Sequence, residues 1–337
     1  MRPLRLVFLL LIMMVLACTF SLSIPIPALD LDDLTKNSDM IVSGEVLSLQ
    51  EAGSTTIRVN SSEIRSHILA GRIHVARVLK GETRSPELSF QFYAPEVFVG
   101  WRSAELHTFA VFFFRARPTG NFEFTSPYHP FALAIPGTSV AGSTPIDRVI
   151  AEIDGAVASP TTSVEQKLTA LFFLSRSRSA ASNAALRSVL QYAEPRLRLT
   201  AAAALLERND ISGLALAAEA LLHGSPGMSE VISHNLAYAI GEGVKDPKAI
   251  PALTKLLNSR DPELRRAAAS ALMRTQSSEA IGPLLAALGD SDFDVRYYSV
   301  VGLAEITGQT DWRPNREAFL ADQETYLRHW RGWGQNR

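Results

Sequence analysis

Three times in its second half the chain places an arginine four residues after an acid: Glu194 and Arg198, Asp261 and Arg265, Asp292 and Arg296. An acid and a base one helical turn apart could shuttle a proton. An acid at a helix start also accepts from exposed backbone N–H groups and pairs with a cation one turn on. The recurrence favours this structural use. One string is nucleophile-like: Gly137-Thr138-Ser139-Val140-Ala141 departs by a single residue from the Gly-x-Ser-x-Gly turn that exposes a hydrolytic serine. It lies in a stretch of Gly, Ser and Thr outside any alternation of strand and helix, so hydrolysis ranks last among the functional readings. The histidines at 67, 74, 107, 129, 223, 234 and 329 form neither His-x-His nor His-Glu-x-x-His, and Cys18 is the sole cysteine. No metal site, glycine-rich phosphate loop, catalytic residue or cofactor is therefore expected.

The 337 residues are 47% hydrophobic and 20% charged, enough for a sizeable core and about two domains. With 33 Lys and Arg against 34 Asp and Glu, no basic excess exists for general binding to nucleic acid. Arg2 and Arg5 precede the apolar run 6–17, the layout of a secretory signal peptide. Twelve residues are fewer than the roughly 20 of a membrane-spanning helix. Val15-Leu16-Ala17-Cys18 resembles a bacterial lipobox, which implies a lipid on Cys18 and attachment to the envelope. Cleavage near Ser21 or Ser23, giving a free periplasmic or secreted protein, is the other reading. Loss of residues 1–17 takes the charge from −1 to −3.

Two regions of different period follow a linker at 18–38. Between 39 and 136, short β-branched and aromatic runs lie between turn signals, and strands are expected at 40–49, 72–79, 88–93, 108–115, 121–125 and 131–135. Pro118-Thr119-Gly120-Asn121 marks a hairpin within 108–125. Short strands without intervening helices suggest a small antiparallel barrel or sandwich. The strings Ser38-Asp39-Met40-Ile41-Val42-Ser43-Gly44-Glu45-Val46 and Val78-Leu79-Lys80-Gly81 are similar to exported OB-like domains of the netrin and metalloproteinase-inhibitor kind, which implies binding rather than chemistry. Residues 137–162, rich in Gly, Ser, Thr, Pro and Ala, read as a linker in which 145–157 could form a short helix.

Beyond residue 161 the period becomes helical and the chain repeats itself. Residues 197–205, 264–272 and 295–303 share one motif, 232–240 fits its frame, and 165–173 fits more loosely. Equivalent positions Gln166, Arg198, Ser233, Arg265 and Arg296 are 32, 35, 32 and 31 residues apart. Each unit is a helical pair too small to bury its own face, so the units must stack. Ala249-Ile250-Pro251-Ala252-Leu253, the segment 261–272 and Ala280-Ile281-Gly282-Pro283-Leu284-Leu285 resemble HEAT repeats of the short, phycobilisome-lyase-like type. That resemblance implies an α–α solenoid over 163–309, about five pairs, with a capping helix at 310–337. The expected fold is thus α+β and multidomain.

The resemblance also implies that the second helix of each pair lines a concave face, with the acid–arginine residues forming a ladder between repeats. Candidate groove positions are Leu199, Leu206, His234, Tyr238, Arg266, Met273, Arg274, Tyr297 and Val301, whose mixture of Tyr, Met, Arg and Leu has interface composition. The alternative is an ordinary solvated helix surface. The expected function is a non-enzymatic, extracytoplasmic scaffold for a protein or peptide partner, with membrane contact only through a lipid on Cys18. A ligand-binding or inhibitor module built on the β-domain is the alternative.

Overall fold

The computed structural model describes residues 27–59, 62–97, 100–138 and 141–336. The signal segment, Cys18 and Ser139 lie outside them. The expected linker at 18–38 contains a helix, α1 (Leu31–Asn37), capped by Asp30 and burying Leu31 and Leu34. Its first turn is tied to the distant helical region: Leu31 N–H donates to the Arg176 carbonyl at 2.8 Å, and the Asp32 carboxylate accepts from Ser177 Oγ at 2.6 Å.

Six strands follow: β1 (Met40–Val59), β2 (Ser62–Lys80), β3 (Glu87–Pro95), β4 (Phe109–Ala116), β5 (Phe122–Phe124) and β6 (Phe131–Leu133). β1 and β2 pair from Ile41–Lys80 to Val59–Ser62, far beyond the expected 40–49 and 72–79. The extension carries mostly exposed or half-exposed side chains, so it has no apolar alternation to betray it; backbone pairing alone defines it. Gly44 is required where β1 meets β2, because a Cβ there would lie 2.1 Å from the His74 carbonyl oxygen. The pairings run β1–β2–β3–β5–β4 and return from β4 to β1, so each of these five strands is paired on both sides, while β6 adds to β4. β3 and β5 are parallel and every other pair is antiparallel. The expected hairpin joins β4 to β5, with Ala116 opposite Phe122.

β4 explains how the strands meet the helices. Its unbroken apolar run is the signature of a strand covered on both faces. Phe112 and Phe114 enter an aromatic core with Phe90, Phe92 and Phe124, whereas Val111 and Phe113 join a second core shared with the helices.

The residues expected to be a linker at 137–162 supply the joint instead. α2 (Pro145–Ala158) begins at a capping box of Thr144 and Asp147 and buries Val149, Ile150, Ile153 and Val157 against Ile41, Leu79 and Phe113. Gly155 permits close approach, since a Cβ there would stand 2.2 Å from Thr138 Cγ2. Glu152 has no solvent exposure; its carboxylate accepts from Arg77 Nε at 2.5 Å, Arg77 Nη2 at 2.8 Å and Ser43 Oγ at 2.7 Å.

α2 is also the first helix of the stack. It pairs with α3 (Val164–Leu174); then come α4 (Ala180–Val189) with α5 (Pro195–Leu206), α6 (Leu214–His223) with α7 (Glu230–Gly243), α8 (Ile250–Leu257) with α9 (Pro262–Arg274), and α10 (Ile281–Ala287) with α11 (Phe293–Thr307). The array of pairs therefore starts at Pro145, not at 163. The second helices α3, α5, α7, α9 and α11 touch in sequence, and alanines such as Ala202, Ala237, Ala268 and Ala304 keep them close. The expected single capping helix at 310–337 is two helices, α12 (Arg316–Ala321) and α13 (Gln323–Gln335). They bury Phe319 and Trp330 fully, with Phe319 5.4 Å from the Phe293 ring and 5.7 Å from Tyr297. Among the described residues, no helix is long and apolar enough to cross a membrane.

Candidate functional site: a groove across the second helices

Repetition of a 13- to 15-residue second helix at close spacing leaves one outward stripe per helix facing its neighbours' stripes. On α7 this stripe is Val231, His234, Tyr238 and Glu242, separated by three, four and four residues. His234, Tyr238 and Glu242 of this stripe, together with Glu263, Arg266 and Ser270 of α9 and Asp294 and Tyr298 of α11, line a groove of about 170 Å³. A second depression, lined by Val231, His234, Asp261 and Glu263 among others, shares His234 and Glu263 with it.

Of the nine groove positions expected from sequence, the structure brings His234, Tyr238 and Arg266 together in the groove. Arg274 stands beside it and forms an ion pair with Glu242, one of its wall residues. Met273 is half-buried on the same helix. Leu199, Leu206 and Val301 are not surface residues at all: each is buried. α5 is apolar on nearly every side, with seven buried residues, so Leu199 is core where the equivalent His234 on α7 is surface. Tyr297 packs against Phe293 and the tail's Phe319; its neighbour Tyr298, about 100° further around the helix, lines the groove instead. Glu242, Glu263, Asp294 and Tyr298 escaped the sequence reading. The i, i+4 relations of Tyr238 to Glu242 and of Asp294 to Tyr298 were the available signal.

The charged walls are internally paired. His234 Nδ1 lies 2.6 Å from Glu263 Oε1, and Arg266 donates to Asp292 from Nε at 2.9 Å and Nη2 at 2.6 Å. The Arg266 hydrogen bond holds the Asp292 carboxyl below its ordinary value against an opposing effect of burial. Asp294 is met by Arg316 at 2.5 Å. Burial, helped by the Asp294 charge, raises the Tyr298 phenol. The large hydrophobic side chains open to solvent here are Tyr238, 59% exposed, and beside the groove Val231, 67% exposed.

The acid–arginine residues do form structure, though not as i, i+4 ion pairs. Glu194, Asp261 and Asp292 are helix N-caps, accepting from Arg196 N, Glu263 N, and Asp294 N and Val295 N respectively. Arg265 reaches across to the next repeat, with Nε 2.8 Å and Nη2 3.0 Å from the two Asp290 carboxylate oxygens. Arg296 donates to the Asp290 and Ser291 carbonyls and to Gln323 of the tail. The position 25 residues after Arg198 is His223 rather than an acid, and Arg198 Nε is buried without a hydrogen-bond partner. Capping consumes the acids, so Arg265 and Arg296 take their partners elsewhere. Among the described residues no three His, Cys, Asp or Glu side chains are grouped to hold a metal ion.

Residues 218–304, which contain the whole groove, match the family model described as HEAT repeats. Solved structures similar to the chain include an engineered protein at 18% identity, covering 53% of this chain and 93% of that one with a TM-score of 0.35. Others are a designed armadillo repeat protein (16% identity, 48% and 83% covered, TM-score 0.34) and YibA of Escherichia coli (17% identity, 52% and 68% covered, TM-score 0.31). No curated protein matches the sequence.

Proposed function

We propose, starting from a helical array that is HEAT-like over residues 218–304, that the protein is a non-enzymatic scaffold holding a protein or peptide segment along the groove of α7, α9 and α11. Repeat folds of this kind are typically non-catalytic and commonly bind protein on the face their second helices line. The observation that carries the reading is the exposed pair Tyr238 and Val231 standing among polar groups already hydrogen-bonded or ion-paired in place. A partner's apolar side chain seated on Tyr238 strands no unpaired charge, which is what a desolvated interface centre requires.

The same reading puts the chain outside the cytoplasm, with residues 1–17 as signal peptide and Cys18 as lipid attachment or as part of the removed leader. It takes β1 to β5 as a small closed OB-like barrel, supported by strand pairings that return to their start. The repeats are taken as the short, phycobilisome-lyase-like type.

Panning a displayed peptide library on the purified protein tests the groove. Selected peptides should lose about tenfold or more in affinity on Tyr238→Ala with Arg266→Glu, the loss of a hot-spot residue. Equal binding to the variant overturns the proposal. Release of the protein from membranes by Cys18→Ser tests the anchor, and retention refutes it.

A further inference from the structure

A second cavity, away from the groove and in the strand region, is lined by three arginines. β3, β4, β5 and the segments around Trp101 and Thr125 enclose about 240 Å³. Phe92, Tyr93, Trp101 and Pro127 give it an apolar, largely flat lining, and Arg102, Arg115 and Arg117 face a single acid, Glu123.

The three guanidinium groups are not equivalent. Arg117 is occupied, with Nη1 2.7 Å from Gln91 Oε1 and Nε 3.6 Å from Glu123 Oε2. Arg102 and Arg115 have no acidic partner among the described residues. Trp101 packs edge-on against Tyr128 at 6.2 Å, and its indole Nε1 is shielded from solvent with no hydrogen-bond partner among the described residues. Two guanidinium groups that lack an acid and line one cavity have one complement: an oxyanion. The ring-lined wall selects for a flat apolar body behind that head.

We infer that this cavity binds a small organic oxyanion, a carboxylate or phosphate ester carried on a flat apolar body. The head sits with Arg102 and Arg115, and the body lies against Tyr93, Trp101 and Pro127. The site is independent of the groove and stands whether or not the array holds a peptide.

Calorimetric titration of the purified protein with benzoate, phenyl phosphate, inorganic phosphate and benzyl alcohol tests it. At least one aromatic anion should saturate at one per chain, and the tighter of the two identifies the head group. Benzyl alcohol should bind about tenfold more weakly or worse. Arg102→Gln combined with Arg115→Gln should cost about tenfold or more, the loss of charge-assisted hydrogen bonds. Tyr238→Ala in the groove should leave binding unchanged. Both arginines are exposed, so an unchanged circular dichroism spectrum is expected of the double variant. The site is refuted if neither aromatic anion saturates, if benzyl alcohol binds as well, or if the double variant binds like the parent. Inorganic phosphate matching phenyl phosphate overturns the apolar wall's role.

Discussion

Arg77 and Glu152 are 75 residues apart in sequence and meet through two hydrogen bonds, with the Glu152 carboxylate wholly enclosed at the seam between β2 and α2. Around that pair, Ile41, Leu79 and Phe113 of the strands share a core with Val149, Ile153 and Leu171 of the helices. Strands and helices at this seam share one core and are not beads on a linker.

Arg77→Ala should therefore leave an uncompensated buried carboxylate and cost about 3 kcal/mol, whereas Arg77→Met with Glu152→Leu should recover much of it. Urea unfolding followed by tryptophan fluorescence and far-UV circular dichroism should give coincident transitions for the parent. Separate transitions for the strand and helical parts would refute the shared unit.

The inter-repeat contact of Arg265 with Asp290 makes a second prediction. Asp261→Ala removes an N-cap and should cost about 1 kcal/mol, independently of Arg265. Asp290→Ala and Arg265→Ala should each cost about 1–3 kcal/mol and be strongly coupled, because the pair is half-buried and bidentate. A double-mutant cycle showing coupling of Arg265 to Asp261 rather than Asp290 would restore the i, i+4 reading.

The repeats were legible because Leu264, Ala268, Ala271 and Leu272 carry a helical apolar stripe whose small members admit close neighbours. α2 carried a comparable stripe in Val149, Ile150, Ile153 and Val157, yet its surroundings of Gly, Ser and Thr read as linker, since composition does not register what Gly155 packs against. The outer half of the β1–β2 hairpin had no stripe to read. In the groove, helical spacing located His234, Tyr238 and Arg266, but whether Leu199 faces solvent depends on what neighbouring helices cover, which spacing along one helix does not encode. One-residue errors such as Tyr297 for Tyr298 rotate a side chain onto a different neighbour.

Acid should destabilise the protein in two separable windows. Burial pushes His129 below the ordinary histidine value; the Pro27 carbonyl opposes this and the Arg102 charge adds to it. The unfolded chain then binds the proton more readily, so stability is lost as pH falls below about 6.5 toward the lowered folded value. His67, raised by its hydrogen bond to Glu51, acts in the opposite sense, so the test is a difference. The fall in melting temperature from pH 7.5 to 5.5 should be smaller in His129→Gln than in the parent. Asp292, depressed by Arg266, contributes stability that is lost only as pH drops below about 4, so Asp292→Asn should change the profile there and not near pH 6. An identical loss between pH 7.5 and 5.5 in parent and His129→Gln would remove the histidine from the account.

The tail closes the array, and its aromatics make that closure measurable. A terminal repeat exposes an apolar face that something must cover. Here Phe319 and Trp330 have no exposure, Leu327 joins them, and Arg296 of the last repeat donates to Gln323 at 2.7 Å. Trp330→Ala or Phe319→Ala should each cost about 3–5 kcal/mol, the range for an aromatic removed from a packed core. The damage should be directional. Hydrogen exchange should accelerate most in α11 and α10, next to the lost cover, less in α9, and little in α2, because each unit in a stack is stabilised by its immediate neighbours. Uniform acceleration along the array would show that the helices unfold as one block, and no acceleration in α11 would show that the tail is not its cap.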